Sequence, residues 1–243
     1  MKNKKWIIYT GFFIVLAGCF LFFVFKDHDF SRSKLAVIST VPEFSFTNQD
    51  GRSVTQKDTD DKVYVAEYFF TTCKGICPKM NANMRRVYDQ YKNEDNFVIL
   101  SHTCMPEVDS VAVLKSYEEK LLAGKLNRNE DGSYTIKDPV ASNLAVSKNN
   151  NWHFLTGEKE ALYKMARQGY MIDNGKPDSL QKISDQFIHT QFFALVDKNR
   201  RVRAIYDGLK EEEIQKLLGD IKALLDEKVT SKRFMNGFTN NPN

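Results

Sequence analysis

Apolar residues run almost unbroken from Trp6 to Phe25, twenty positions in all. A helix of that length spans about 30 Å, the thickness of the bilayer core. After a polar stretch over 27–40 the pattern becomes that of a folded domain. In VPEFSFTNQDGRSVT (41–55), apolar residues alternate on both sides of Asp50-Gly51, which predicts a hairpin. KVYVAEYFF (62–70) is a continuous run of apolar and aromatic residues and predicts a strand buried on both faces. Met80, Met84, Val87 and Tyr91 then recur at helical spacing, giving a helix to about residue 92. FVILSHTC (97–104) predicts a second buried strand. A helix from Asp109 to about Leu122 follows, with Val113, Leu114, Tyr117 and Leu121 on its apolar side.

The stretch 124–150 is rich in Gly, Asn, Asp and Lys and is expected to be an insertion or long loop. NWHFLTG (151–157) predicts a short strand, followed by a helix from about Glu158. QFIHTQFFALVD (186–197) and RVRAIYDG (201–208) flank Lys198-Asn199-Arg200 as a β-hairpin. The final helix is amphipathic, with Ile214, Leu217, Leu218, Ile221 and Leu225 facing in. Strands alternating with helices, then a hairpin and a closing helix, make an α/β sandwich in the thioredoxin-like order, with an extra N-terminal hairpin. The expected organisation is a transmembrane anchor over 1–26, a linker over 27–40, one domain over 41–228 and a flexible tail over 229–243.

Lys2, Lys4 and Lys5 precede the apolar run and predict a cytoplasmic N-terminus with the domain on the other side of a cell membrane, facing the periplasm or its equivalent. A cleaved signal peptide usually has a shorter apolar region and a small-x-small site, which Lys26-Asp27-His28-Asp29 does not offer. Leu16-Ala17-Gly18-Cys19 has the form of a lipoprotein cleavage site. Cleavage there would leave Phe20 to Phe25 exposed directly after a lipidated Cys19, so the uncleaved helix is the preferred reading. Both readings tether the domain to a membrane.

Composition narrows the class further. Hydrophobic content of 42% and charged content of 27% are those of a globular protein. The net charge is only +4, and charges of both signs are interspersed, which gives no basic face for nucleic acid. With Cys19 in the apolar segment, the domain has three cysteines, an odd number that argues against a disulfide-stapled scaffold.

Cys73 and Cys77 lie where a buried strand hands over to a helix. Thr71 and Thr72 are placed to cap that helix, and Pro78 suits a first turn, where its missing N–H is not needed. The helix N-terminus is expected to lower the thiol pKa values. A four-residue step puts both sulfurs on one side of the turn, able to reach one metal or each other. The spacing is C-x-x-x-C rather than the C-x-x-C of simple redox motifs. Soft thiolates with an imidazole suit copper.

His189 lies in the strand QFIHTQFF, close to the turn that precedes it; in a thioredoxin-like fold the loop entering this strand faces the cysteine motif, so the imidazole is a candidate third ligand. His28 and His153 are expected to have no ligand role. His102 and Cys104 are two apart at the end of a central strand, where ligands collect in α/β folds. Cys104 reads equally well as a small apolar filler and as an auxiliary ligand or resolving thiol.

These residues resemble the Sco/SenC family, extracytoplasmic thioredoxin-like proteins associated with assembly of cytochrome c oxidase. The similarity covers residues 41 to 227 and includes VPEFSFTNQDGRSVT, TTCKGICPKM, WHFLTG and IHTQFFALVDKNRRVRAIYDG. By position, Cys73, Cys77 and His189 match the family's copper ligands. The resemblance implies delivery of copper (as Cu(I), Cu(II) or both) to the dinuclear copper site of oxidase subunit II, or reduction of that site's cysteines. Two departures stand out: Ser101-His102-Thr103-Cys104-Met105-Pro106 where the family has an Asp-Pro element, and Ile188 where an Asp often precedes the histidine. The alternative is a thiol–disulfide oxidoreductase in which one of Cys73 and Cys77 attacks and the other resolves.

Overall fold

The computed structural model describes residues 2–25, 35–137, 149, 151–173 and 190–227. The first helix, α1 (Lys2–Phe25), covers the apolar run. Its side chains from residue 8 to residue 22 are exposed without exception. Among the described residues no helix is long and apolar enough to cross a membrane. The linker and the tail expected at 27–40 and 229–243 lie largely or wholly outside the described residues.

The domain is built on an eight-stranded sheet. Its strands are β1 (Ser39–Thr40), β2 (Ser45–Asn48), β3 (Ser53–Thr55), β4 (Val63–Phe69), β5 (Phe97–Thr103), β8 (Trp152–Thr156), β9 (Phe192–Val196) and β10 (Arg201–Asp207), in the spatial order β1-β10-β9-β4-β5-β8-β2-β3. The strands β4, β5 and β8 run parallel to one another, and β9 and β10 pair antiparallel beside β4. This mixed α/β sheet is the thioredoxin-like arrangement expected. The N-terminal hairpin is β2–β3. Gly51 takes φ +74° at its turn, and Asn48 Oδ1 accepts the N–H groups of Asp50 and Arg52 at 3.0 and 2.9 Å.

The central strands explain the rest. Every side chain of β4 and of β5 is buried. Alternate residues therefore feed two cores. Val63, Val65 and Phe69 pack with Phe97 and Ile99 under α2 (Cys77–Tyr91), α3 (Val111–Ala123) and α5 (Glu211–Asp226). Tyr64, Ala66 and Tyr68 pack with Val98 and Leu100 under α4 (Lys159–Lys164) and the π-helical turn Met165–Gly169. In α5 Ile214, Leu217, Ile221 and Leu224 are buried, and Leu218 and Leu225 are partly buried against the same core, so Leu224 joins the inward-facing set expected. In α3, Leu114 and Leu121 are buried but Val113 is exposed.

The predicted loop over 124–150 contains structure. A hairpin of β6 (Lys125–Arg128) and β7 (Tyr134–Lys137) lies against α2, and 138–148 fall outside the described residues. The Arg86 guanidinium holds the hairpin, 4.0 Å above the Tyr134 ring, while forming a fork to the Glu211 carboxylate at 2.6 and 2.7 Å. The alternation of polar and apolar residues in β7 was too short to stand out from its Gly- and Asn-rich surroundings.

One carboxyl breaks the apolar pattern of β4. Glu67 is fully buried; its Oε1 accepts the Ser101 hydroxyl at 2.6 Å, and Ser101 Oγ accepts the Trp152 indole N–H at 2.8 Å. Burial pushes the Glu67 carboxyl up to about 8, against only partial relief from Ser101. A carboxyl that ionises more readily unfolded than folded contributes stability below its unfolded pKa, and that stability is lost as pH rises towards about 8. Each pH unit inside that window is worth about 1.4 kcal/mol at most. Glu67→Gln, which mimics the protonated acid, is expected to be more stable than the parent at pH 7 and to flatten the decline between pH 5 and 8. Urea unfolding across that range checks it; an unchanged slope would show that Glu67 is ionised in the fold.

Candidate metal and redox site

The backbone leaves β4 at Phe69 and reaches Cys73 through Phe70, Thr71 and Thr72. The α2 helix begins at Cys77, with Pro78 in its first turn as expected. The predicted threonine cap is not made, because the N-cap position is Ile76 and no side chain caps the helix. Thr71 is turned instead towards Asp109, at the foot of α3. Asp109 is fully buried; it accepts the Thr71 hydroxyl, the Thr71 N–H at 3.3 and 3.4 Å, and the Thr103 hydroxyl. A buried carboxylate met by three donors ties the cysteine loop to the end of β5. The Cys104 N–H adds a bond of 2.8 Å to the Phe69 carbonyl.

A cavity of ≈ 350 Å³ opens at the carboxyl ends of β4 and β5. Cys73, Cys77, Cys104, Phe70, Ile76 and Thr190 are on its walls. Cys73 is partly exposed, whereas Cys77 and Cys104 are buried, and all three are free thiols. The expected lowering of thiol pKa values fails at Cys77. Burial pushes this thiol well up, the neighbouring Cys73 thiol adds to the rise, and the Phe70 backbone N–H opposes it only in part. Desolvation of a thiolate exceeds the favourable field of a helix start when the sulfur faces the core. Cys77 is therefore a protonated thiol at neutral pH.

His189 lies outside the described residues. Thr190, its chain neighbour, lines the cavity; its hydroxyl donates to the Ile172 carbonyl and accepts the Phe192 N–H at 3.2 Å. Among the described residues no three His, Cys, Asp or Glu side chains are gathered as a group able to hold a metal ion.

The two sites offered by β5 separate. His102 is fully buried, stacked on Tyr68 at 5.0 Å, with Nε2 and the Tyr170 hydroxyl 3.1 Å apart. Burial lowers it to about 3, so it is a neutral core residue and takes no part in the cavity. Cys104 does open on the cavity. His153 is a strand residue, as expected, lowered to about 4 by burial. The residues missed in the sequence are Asp109 and Glu67. An acidic residue inside a strand of valines and aromatics was a visible anomaly; Asp109 in a helix-entry position was not.

A family model described as SCO1/SenC matches residues 33–126 and 138–226. The chain is similar to the crystal structure of a SCO1/SenC family lipoprotein from Bacillus anthracis, with 28% identity, TM-score 0.59 and coverage of 79% of this chain and 98% of that one. It is also similar to the structure of BsSco, described as a member of the Sco family of cytochrome c oxidase assembly proteins with a disulfide switch (25% identity, TM-score 0.58, 81% of this chain and 99% of that one). Arabidopsis thaliana ScoI, solved with copper bound, shares the fold at 20% identity, TM-score 0.51, over 76% of this chain and 98% of that one.

Replacing Asp109 by Asn puts an N–H₂ donor where three donors converge. The expected result is a loss of about 2 kcal/mol in unfolding free energy, in the range for a buried charged hydrogen bond. Faster iodoacetamide labelling of Cys77 in the folded state is expected with it. Unchanged labelling would show that the carboxylate does not hold the cysteine loop.

Proposed function

The chain belongs to the SCO1/SenC family, and from that premise we propose that it binds copper as cargo and delivers it to a dinuclear copper site in cytochrome c oxidase subunit II or a similar acceptor. The observation that carries this reading is the pair of free thiols, Cys73 and Cys77, opening on one cavity whose wall continues into Thr190. Cys73 and Cys77 would supply two soft thiolates, and His189 an imidazole, a set suited to copper. Cys77 starts as a thiol, so copper entry drives a proton off it, and loading becomes tighter as pH rises. Release proceeds by stepwise ligand exchange with a cysteine- and histidine-bearing acceptor, starting from the more exposed Cys73.

Thiol–disulfide exchange at the same pair is the second reading, favoured by the disulfide switch described for BsSco. There Cys73 attacks and Cys77 resolves.

The domain is proposed to be held at a membrane by α1, facing the extracytoplasmic side. The exposure of the large apolar side chains of α1, among them Ile8, Phe12, Phe13, Leu16 and Phe20, supports this. Alkaline carbonate washing of cell membranes, followed by intact-mass measurement of the pelleted chain, separates the two forms of anchor: a helix leaves the segment before Cys19 attached, whereas a lipid anchor gives a chain that starts at a lipidated Cys19. Release of the unaltered chain by the wash would contradict both.

Anaerobic copper titration of the reduced full chain in detergent, with metal analysis, tests the cargo. One copper per chain is expected, lost in Cys77→Ser and held at least tenfold more weakly in His189→Ala. No retained copper beside a reversible Cys73–Cys77 disulfide would transfer the assignment to thiol–disulfide exchange.

A further inference from the structure

Three thiols share the cavity, not two. Cys73 stands at its rim, while Cys77 and Cys104 are set deeper, at 5% and 3% exposure. Cys104 is held there from two sides: its N–H donates to the Phe69 carbonyl at 2.8 Å, and its carbonyl accepts the Tyr163 hydroxyl at 2.9 Å. Asp109 binds the preceding residue, Thr103, to Thr71 in the loop that carries Cys73. The end of β5 and the cysteine loop are thus one braced unit. Charge on either Cys73 or Cys77 is felt at the Cys104 sulfur, which accords with a shared environment.

We infer that Cys104 is a third redox thiol of this cavity, exchanging with Cys77 so that a disulfide formed between Cys73 and Cys77 moves inward to join Cys77 and Cys104. The inference rests on the reading of Cys73 and Cys77 as the working pair and adds an outlet to it. In the first step Cys73 attacks a disulfide on a partner protein; one S–S bond breaks, one forms, and the partner's leaving sulfur takes a proton. Cys77 then displaces the partner's second sulfur from Cys73, leaving the Cys73–Cys77 disulfide and a partner dithiol. Finally the Cys104 thiolate attacks Cys77, the Cys73–Cys77 bond breaks, and Cys73 leaves as a thiolate that takes up the proton Cys104 gave. The two electrons have passed to the partner in the earlier steps, so this last one is an isomerisation and needs no oxidant. Its outcome is a chain that stores one disulfide out of reach while still presenting a free thiol at Cys73.

Disulfide mapping tests this, with the full chain in detergent equilibrated in oxidised and reduced glutathione, alkylated with iodoacetamide and digested with trypsin. Lys74 lies between the paired cysteines, so Cys73, Cys77 and Cys104 fall on separate peptides, 63–74, 75–79 and 93–115. The expected result is a linked 75–79/93–115 pair with Cys73 alkylated, accumulating behind a linked 63–74/75–79 pair. Cys73→Ala and Cys73→Ser, each confirmed as folded by circular dichroism, should form the 75–79/93–115 link directly. The inference is overturned if the unaltered chain yields only the 63–74/75–79 pair with Cys104 alkylated, or if both variants stay reduced or carry glutathione on Cys77. Absence of any pair within the unaltered chain would instead bring down the redox role of Cys73 and Cys77 on which it rests.

Discussion

Everything near the cavity depends on where β4 stops. Its side chains from Val63 to Phe69 are all buried, and its backbone is paired on both sides, with β5 and β9. A strand so placed has no freedom to shift register, because a slip of one residue would exchange the two cores. The chain must therefore leave the sheet at one fixed point, and Cys73 follows four residues later. The cysteine geometry is inherited from the sheet rather than created by the loop. Asp109 completes this by holding Thr71 and Thr103 together across the gap between β4 and β5.

Much of this was legible in the sequence because burial on two faces leaves an unmistakable run. KVYVAEYFF and FVILSHTC both became strands at the centre of the sheet, and the helical spacing of Met80, Met84 and Val87 located α2. The motif itself was equally plain, since few reasons other than chemistry place two cysteines at a strand-to-helix junction. What could not be read was long-range. Thr71 looked like a helix cap because local spacing allowed it, but its partner lies 38 residues away. The hairpin β6–β7 escaped notice because its anchors, Tyr134 under the Arg86 guanidinium and Ile136 against the core, are two residues in a short strand amid Gly- and Asn-rich sequence.

The thiol pair illustrates two opposing fields. A helix start favours a thiolate, and a hydrophobic wall disfavours it. Cys77 lies with Met80 and Met84 in the same core, so the wall prevails. Cys73, at the rim, is the member that meets a partner first. A site arranged this way has an outer sulfur for encounter and inner sulfurs for retention, which serves metal transfer and disulfide transfer alike. The two readings differ in what arrives at the cavity more than in how the cavity is built.

The hydrogen-bonded chain from Glu67 through Ser101 to Trp152 has an optical consequence. The sequence contains two tryptophans, Trp6 in α1 and Trp152 in the domain. Any indole emission arising within the domain therefore comes from a ring whose N–H ends in a buried carboxyl on the face of β4 that also carries α2. Charge appearing on that carboxyl lies two hydrogen bonds from the fluorophore. The domain's own indole is thus placed where a change of charge on Glu67 is expected to alter its emission.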